Sequence, residues 1–131
     1  MHDLTLEEIL AIHAGIMAQD GGDTRVLSEG NLHQTIFRAN LPEDPFARAA
    51  TAFYSLAAYP AFRDGNKRTA QAVAEKILAG EGYTLPDNDP GWGTMSRGIM
   101  DFTVEIGEIE EYFRKTAAVL QGTTTGTPRE T

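Results

Sequence analysis

The chain has no cysteine. Disulfides, thiolate metal sites and a cysteine nucleophile are therefore excluded. Lysine is scarce, with only Lys67, Lys76 and Lys115 in the whole sequence. Positive charge is in short supply overall: 11 Lys and Arg stand against 19 Asp and Glu, a formal net charge of −8. Non-specific binding to nucleic acid or to an anionic membrane needs an excess of cations, so neither partner is expected. A small local cationic pocket remains compatible with that balance. No apolar run approaches the roughly 20 residues of a membrane span. The opening MHDLTLEEIL is acidic and lacks the charge pattern of a signal peptide. A soluble, cytoplasmic protein is expected.

What is present is a core and a helical pattern. Hydrophobic residues make up 41% of 131 residues, enough for one domain and too little chain for two. Leu6, Ile9, Leu10, His13, Ile16 and Met17 lie on one helical stripe. Thr5 and Glu8 form a capping box at its start, and Gly21-Gly22-Asp23 stops it. A short helix over Glu29–Arg38 carries Leu32, Ile36 and Phe37. The next opens at Pro45, which suits a first turn, and has six alanines. It should stop near Tyr59, because Pro60 disfavours helical geometry in the residue before it. Ala70, Val73, Ala74, Ile77 and Leu78 mark a further helix ended by Gly80 and Gly82.

Beyond it, Asp89-Pro90 can start a helix whose apolar positions include Met95, Ile99, Phe102 and Ile106. A last helix is expected from Gly107 to Gln121, using Ile109, Tyr112, Phe113, Thr116, Val119 and Leu120. Any strand is confined to two or three residues around Tyr83. The expected architecture is all-α, a single bundle of five to six helices over residues 1–121. Residues 122–131, GTTTGTPRET, have no large apolar side chain and are expected as a flexible tail.

One segment is not generic. Phe62-Arg63-Asp64-Gly65-Asn66-Lys67-Arg68-Thr69 concentrates three basic residues in an acidic chain and runs directly into a helix. The first N–H groups of a helix have no intrahelical partner, and the dipole there favours an anion. Positive side chains at that end are unfavourable unless something negative binds, so Lys67 and Arg68 need a reason. Gly65 lets the backbone approach a phosphate closely. Asn66 can hold the turn through its side chain or donate to a ligand oxygen. Asp64 would repel a bare phosphate but suits Mg²⁺ shared between carboxylate and phosphate oxygens. The competing reading is a solvated loop with turn-forming Asp and Gly followed by a basic first turn. The spacing is not that of the nucleotide-binding loop G-x-x-x-x-G-K-[ST].

Phe62-Arg63-Asp64-Gly65-Asn66-Lys67-Arg68-Thr69-Ala70 resembles the core motif of the Fic/Doc (Fido) family. Its Asn-Lys-Arg-Thr-Ala is similar to the death-on-curing (Doc) branch of toxins. Leu4 to His13 resembles that branch's opening helix, and Ala49 to Ala57 resembles the helix before its motif. Glu81-Gly82-Tyr83 is similar to the segment that closes the motif helix. The resemblance covers residues 4 to 115. It implies a Fido-type bundle that binds Mg²⁺ and ATP and transfers AMP or a phosphate to a Ser, Thr or Tyr hydroxyl of a protein target. By position it implies Asp64 for the metal, Gly65, Asn66 and Lys67 for the phosphates, Arg68 as a phosphate partner, and Phe62 as a buried anchor.

Two departures stand out. The family motif carries a His two residues before the Phe, as the general base for the target hydroxyl; here that residue is Pro60, which has no basic side chain. A register shifted by one brings Tyr59 there, a poor base near neutrality. Gln71 stands where AMP-transferring relatives carry a second Arg. Weakened or lost catalysis is therefore expected. The alternative is a non-catalytic all-α interaction module of a toxin–antitoxin pair. Glu29-Gly30 fits the end of the inhibitory [ST]-x-x-x-E-[GN] pattern, but Arg25 breaks it, so restraint by a separate antitoxin is expected. His13, on an apolar helix face, reads as a hydrogen-bonded core residue, and nothing in the sequence brings it or His33 to the loop. Trp92 reads as a packing anchor and Glu105, Glu108, Glu110 and Glu111 as a solvated face.

Overall fold

Helix α3, Pro45–Ala58, is the axis of the molecule. The computed structural model describes residues 1–120. Its elements are α1 (Leu6–Asp20), α2 (Glu29–Ala39), α3, α4 (Asn66–Ala79), β1 (Tyr83–Thr84), α5 (Gly91–Met100), α6 (Ile106–Thr116) and β2 (Ala118–Val119). Helix α3 buries Phe46, Ala49, Ala50, Ala52, Phe53, Leu56 and Ala57 and packs against α2, α4, α5 and α6. Its small side chains allow that approach from several sides; a run of leucines would hold the neighbours farther off. Helix α1 packs on α4 and α2. The described residues thus form an all-α bundle of six helices with one tiny antiparallel ladder. No helix among them is long and apolar enough to cross a membrane.

The helix starts follow local chemistry. At α1 the Glu8 N–H donates to Thr5 Oγ1 at 3.2 Å and the Thr5 N–H donates to Glu8 Oε1 at 3.0 Å, the reciprocal pair of a capping box. Ser28 caps α2 and Asp44 caps α3. Gly21 ends α1 in the left-handed region, φ 78°. Trp92 is the expected anchor: it is buried beside Phe53 and Phe113, and its indole N–H donates to Pro86 O at 2.8 Å.

Three expectations need correction. Phe102 and Ile106 do not extend the α5 stripe. The helix stops at Met100, because the chain folds back over Gly98, whose carbonyl accepts the N–H groups of Thr103 and Val104. A Cβ at Gly98 would collide with Val104. Phe102 sits in that reversal with φ 60° and 93% of its surface exposed, and Ile106 instead begins α6. The last helix ends at Thr116, not Gln121. Val119 lies in β2, paired with Tyr83, and the Leu120 N–H donates to Gly82 O at 2.9 Å. The two short strands satisfy each other's backbone, which a helical continuation would leave unpaired. Phe37 projects from α2 into solvent and takes no part in the core. Gln121 and the segment 122–131 lie outside the described residues.

Candidate phosphate-binding site at the start of helix α4

The segment between α3 and α4 is a loop feeding a helix N-terminus, as the sequence predicts. Tyr59 caps α3 in a non-helical conformation and Pro60 begins the turn. Ala61 and Phe62 are buried. The backbone runs alongside the α1–α2 connection: the N–H groups of Leu27 and Ser28 donate to Ala61 O at 2.7 and 3.1 Å, and Arg63 N–H donates to Arg25 O at 3.1 Å. Asn31 Nδ2 donates to Pro60 O at 2.9 Å.

Of the two roles open to Asn66, its side chain takes the first. Its Oδ1 accepts the N–H groups of Ala61 and Phe62, at 3.2 and 3.1 Å, and its Nδ2 donates to Phe62 O at 2.8 Å. The side chain clamps the loop, leaving the Asn66 backbone amide for a ligand. Gly65 has φ 79°, the left-handed region where a side chain is strained, and a Cβ there would also collide with Met17. No side chain caps α4. The first amides of α4 therefore point to solvent with the helix dipole behind them.

Asp64 is held at two points. Its Oδ2 accepts the Asp23 N–H at 3.0 Å, and its backbone carbonyl accepts from His13 Nε2 at 2.8 Å. The His13 ring also stacks on Phe62, with centroids 3.6 Å apart and planes 8° from parallel. The sequence offered no route for His13 to the loop; packing of α1 on α4 supplies it across 51 residues. The clue available in the sequence was the shared stripe of His13 and Met17, both of which face this loop. Arg68 Nη1 pairs with Asp20 Oδ2 at 2.5 Å. The Lys67 side chain has no hydrogen bond or ion pair among the described residues.

An open groove of about 390 Å³ follows the loop, walled by Pro60, Arg63, Asp64, Gly65, Asn66, Lys67 and Arg68, with Ala57 and Met100 beside them. A second, of about 220 Å³, adjoins it at Lys67 and Arg68 and continues between α4 and α5 over Phe53, Trp92, Gly93 and Ser96. Its far wall carries Arg97, which the sequence did not single out and which has no ion pair among the described residues. Arg63, Lys67, Arg68 and Arg97 thus line two adjoining grooves at the uncapped end of α4, a cluster of four cations on an acidic protein, of which Arg63 faces Asp23 at 3.7 Å and Arg68 faces Asp20. A separate cavity under the N-terminus, lined by Met1, His2 and Leu4, is about 30 Å³, too small for a nucleotide.

Among the described residues no imidazole lines the groove. His13 is buried behind the loop with its Nε2 engaged. His2 bonds Glu8 at 2.9 Å, and His33 is exposed on α2. Tyr59 is turned away, its ring 5.3 Å from the Arg38 guanidinium carbon. Gln71 points towards the α4–α5 connection, where its Nε2 donates to Asp87 O at 3.3 Å and to Glu75 Oε2 at 3.4 Å. Burial, together with hydrogen bonding to and repulsion from Asp87, raises Glu75 to about 7.

A family model described as Fic/DOC family matches residues 3–78, more than half of the chain. The chain belongs to the Fic/DOC family. The matched span runs from just before α1 to the last turn of α4, so it includes the whole loop and every residue that grips it from α1 and α2. The α5 wall of this Fic/DOC protein, with Arg97, lies outside that span. No curated protein matches the chain.

Proposed function

We propose that this Fic/DOC protein binds the phosphates of ATP together with Mg²⁺ at the start of α4, as a Doc-like toxin relative. Its transfer of phosphate or AMP to a protein hydroxyl is weakened or lost. The observation that carries the reading is the uncapped N-terminus of α4, facing a groove in which Lys67 and Arg97 have no ion-pair partner among the described residues. Backbone amides, a helix dipole and unpaired cations together make an anion site.

The residues present suit Mg²⁺ held jointly with a nucleotide. Asp64 supplies one carboxylate, with Oδ2 committed to the Asp23 N–H and Oδ1 free to ligate. No group of three or more His, Asp or Glu among the described residues could cage a metal. One carboxylate plus phosphate oxygens and water is a usual Mg²⁺ donor set. When bound, the ion would neutralise phosphate charge. The amides of Gly65, Asn66 and Lys67 would orient the phosphate oxygens, and Arg68 would pair with one of them after leaving Asp20.

The weak point is the acceptor side. Transfer forms a bond between the target's hydroxyl oxygen and phosphorus and breaks a phosphoanhydride bond, while the hydroxyl proton must go to a base. Pro60 occupies the position two before Phe62 and offers none. The partners that follow from the reading are a protein with a Ser, Thr or Tyr hydroxyl and a separate antitoxin.

The test is calorimetry of the full chain with ATP and ADP, with and without Mg²⁺, followed by transfer assays on cell extract with ATP labelled at the α- or γ-phosphate. Binding that strengthens with Mg²⁺ and weakens in Lys67→Ala supports the reading. No heat at millimolar nucleotide would leave a non-catalytic interaction module as the function.

A further inference from the structure

We infer that His13 is a positioning residue for the phosphate-binding loop: it fixes the Asp64 carbonyl, and through it the direction of the Asp64 carboxylate. The inference deepens the proposed function and rests on it for the role of Asp64.

The geometry is specific. His13 is buried on the inner face of α1. A carbonyl oxygen only accepts, so the hydrogen at His13 Nε2 is donated to Asp64 O, at 2.8 Å. The ring lies flat on Phe62, 3.6 Å between centroids. One side chain therefore grips the loop at two residues, one by stacking and one by hydrogen bonding.

The Asp64 carbonyl belongs to the peptide that leads into Gly65, the residue with φ 79°. Rotation of that peptide would swing the Gly65 amide, and loss of the carbonyl's partner would free the stretch of backbone from which the Asp64 side chain hangs. Asp64 Oδ2 is fixed separately by the Asp23 N–H at 3.0 Å. With backbone and side chain each tethered, the carboxylate has one direction, which is what a metal ligand of fixed geometry requires. Asn66 holds the earlier half of the loop, at Ala61 and Phe62, and has no bond to Asp64. His13 is the side chain that holds the later half by its backbone.

Two variants separate donation from packing. His13→Phe keeps an aromatic ring against Phe62 and removes the donor. His13→Gln keeps a donor near the position of Nε2 and removes the stack. Hydrogen–deuterium exchange of the full-length protein, read on peptides covering 60–69, is the primary measurement. Exchange there should be about tenfold faster in His13→Phe and close to wild type in His13→Gln, while peptides from α3 and α6 stay unchanged. The second measurement is calorimetry with ADP, comparing affinity with Mg²⁺ and with a chelator. His13→Phe should lose most of the Mg²⁺-dependent gain and keep its metal-free affinity; His13→Gln should recover the gain.

Unchanged loop exchange in His13→Phe would overturn the inference, as would equal acceleration across α3 and α6, which marks a general packing role. Absence of nucleotide binding by the wild type would count against the proposed function instead. The exchange pattern across 60–69 decides the anchor in that case as well.

Discussion

Arg68 at the start of α4 and Asp20 at the end of α1 are joined at 2.5 Å, so the arginine proposed to meet a phosphate already holds an anion of the protein's own. Both side chains are partly exposed, and such a pair stabilises the fold by about 1 kcal/mol or less. Its larger effect is on binding, because a ligand must displace the Asp20 carboxylate. Asp20→Asn should therefore raise affinity for ADP or ATP by about threefold or more, with little change in stability. Calorimetry and urea denaturation of the same variant check the two halves; weaker binding would show that Arg68 needs Asp20 to be placed.

Pro60→His is expected to restore or raise transfer to a protein hydroxyl, by about 10² or more if a general base is the missing element. The amides, Lys67 and Asp64 act on the nucleotide, whereas the new imidazole would act on the acceptor, so the two functions sit on different residues. Labelled-ATP transfer by the wild type, Pro60→His and Pro60→His/Lys67→Ala makes the comparison. A wild type as fast as Pro60→His would mean that proline is no lesion.

Asn66→Ala removes three hydrogen bonds and leaves the buried N–H groups of Ala61 and Phe62 without an acceptor. A loss of about 2–4 kcal/mol of stability is expected. Asn66→Asp keeps an acceptor for both N–H groups but faces the Phe62 carbonyl with an oxygen, so it should lose less. Urea unfolding ranks the two; equal losses would mean that the donation to Phe62 O dominates.

Glu75 makes stability pH-dependent in a direction opposite to a salt-bridged acid. Burial and Asp87 raise it from an ordinary 4.5 to about 7. Between those values the folded protein keeps a proton that the unfolded chain releases. Its contribution is full below about 4.5 and is lost as pH rises through 7. Allowing for solvent screening at a half-buried site, the loss is about 1 kcal/mol. Glu75→Gln should be more stable than wild type at pH 8 and flatter between pH 5 and 7.5. A wild type whose midpoint rises across that range would contradict the assignment.

What the sequence made legible was local. The Thr5–Glu8 box, Pro45 at a first turn and Pro60 after a last one each act within four residues, and the structure has helix ends at all three. The loop running into α4 was legible for the same reason, since Gly65 and Asn66 are turn chemistry beside a helical stripe. The reversal at Phe102 was not. Ile99, Phe102 and Ile106 are spaced as one helical face would be, and only the contact of Gly98 with Thr103 and Val104 breaks it. Val119 continues the helical stripe of Ile109, Tyr112, Phe113 and Thr116 in the sequence, and only its pairing with Tyr83 takes it out of the helix. His13 on Asp64, and Arg97 beside Lys67, are meetings between elements, and no spacing along one chain encodes them.

Apart from Asn66 and the Thr69 N–H, which donates to Gly65 O at 2.9 Å, the groups among the described residues that hold the loop come earlier in the chain: His13 and Met17 in α1, Asp23, Arg25, Leu27 and Ser28 in the connection, and Asn31 in α2. Synthesis proceeds from the N-terminus. Each of these holders has thus left the ribosome before residues 60–65 emerge, whereas the wall bearing Arg97 follows only with α5. The order of manufacture places the mould before the cast: the loop can take its shape while the second groove beside it is still open on one side.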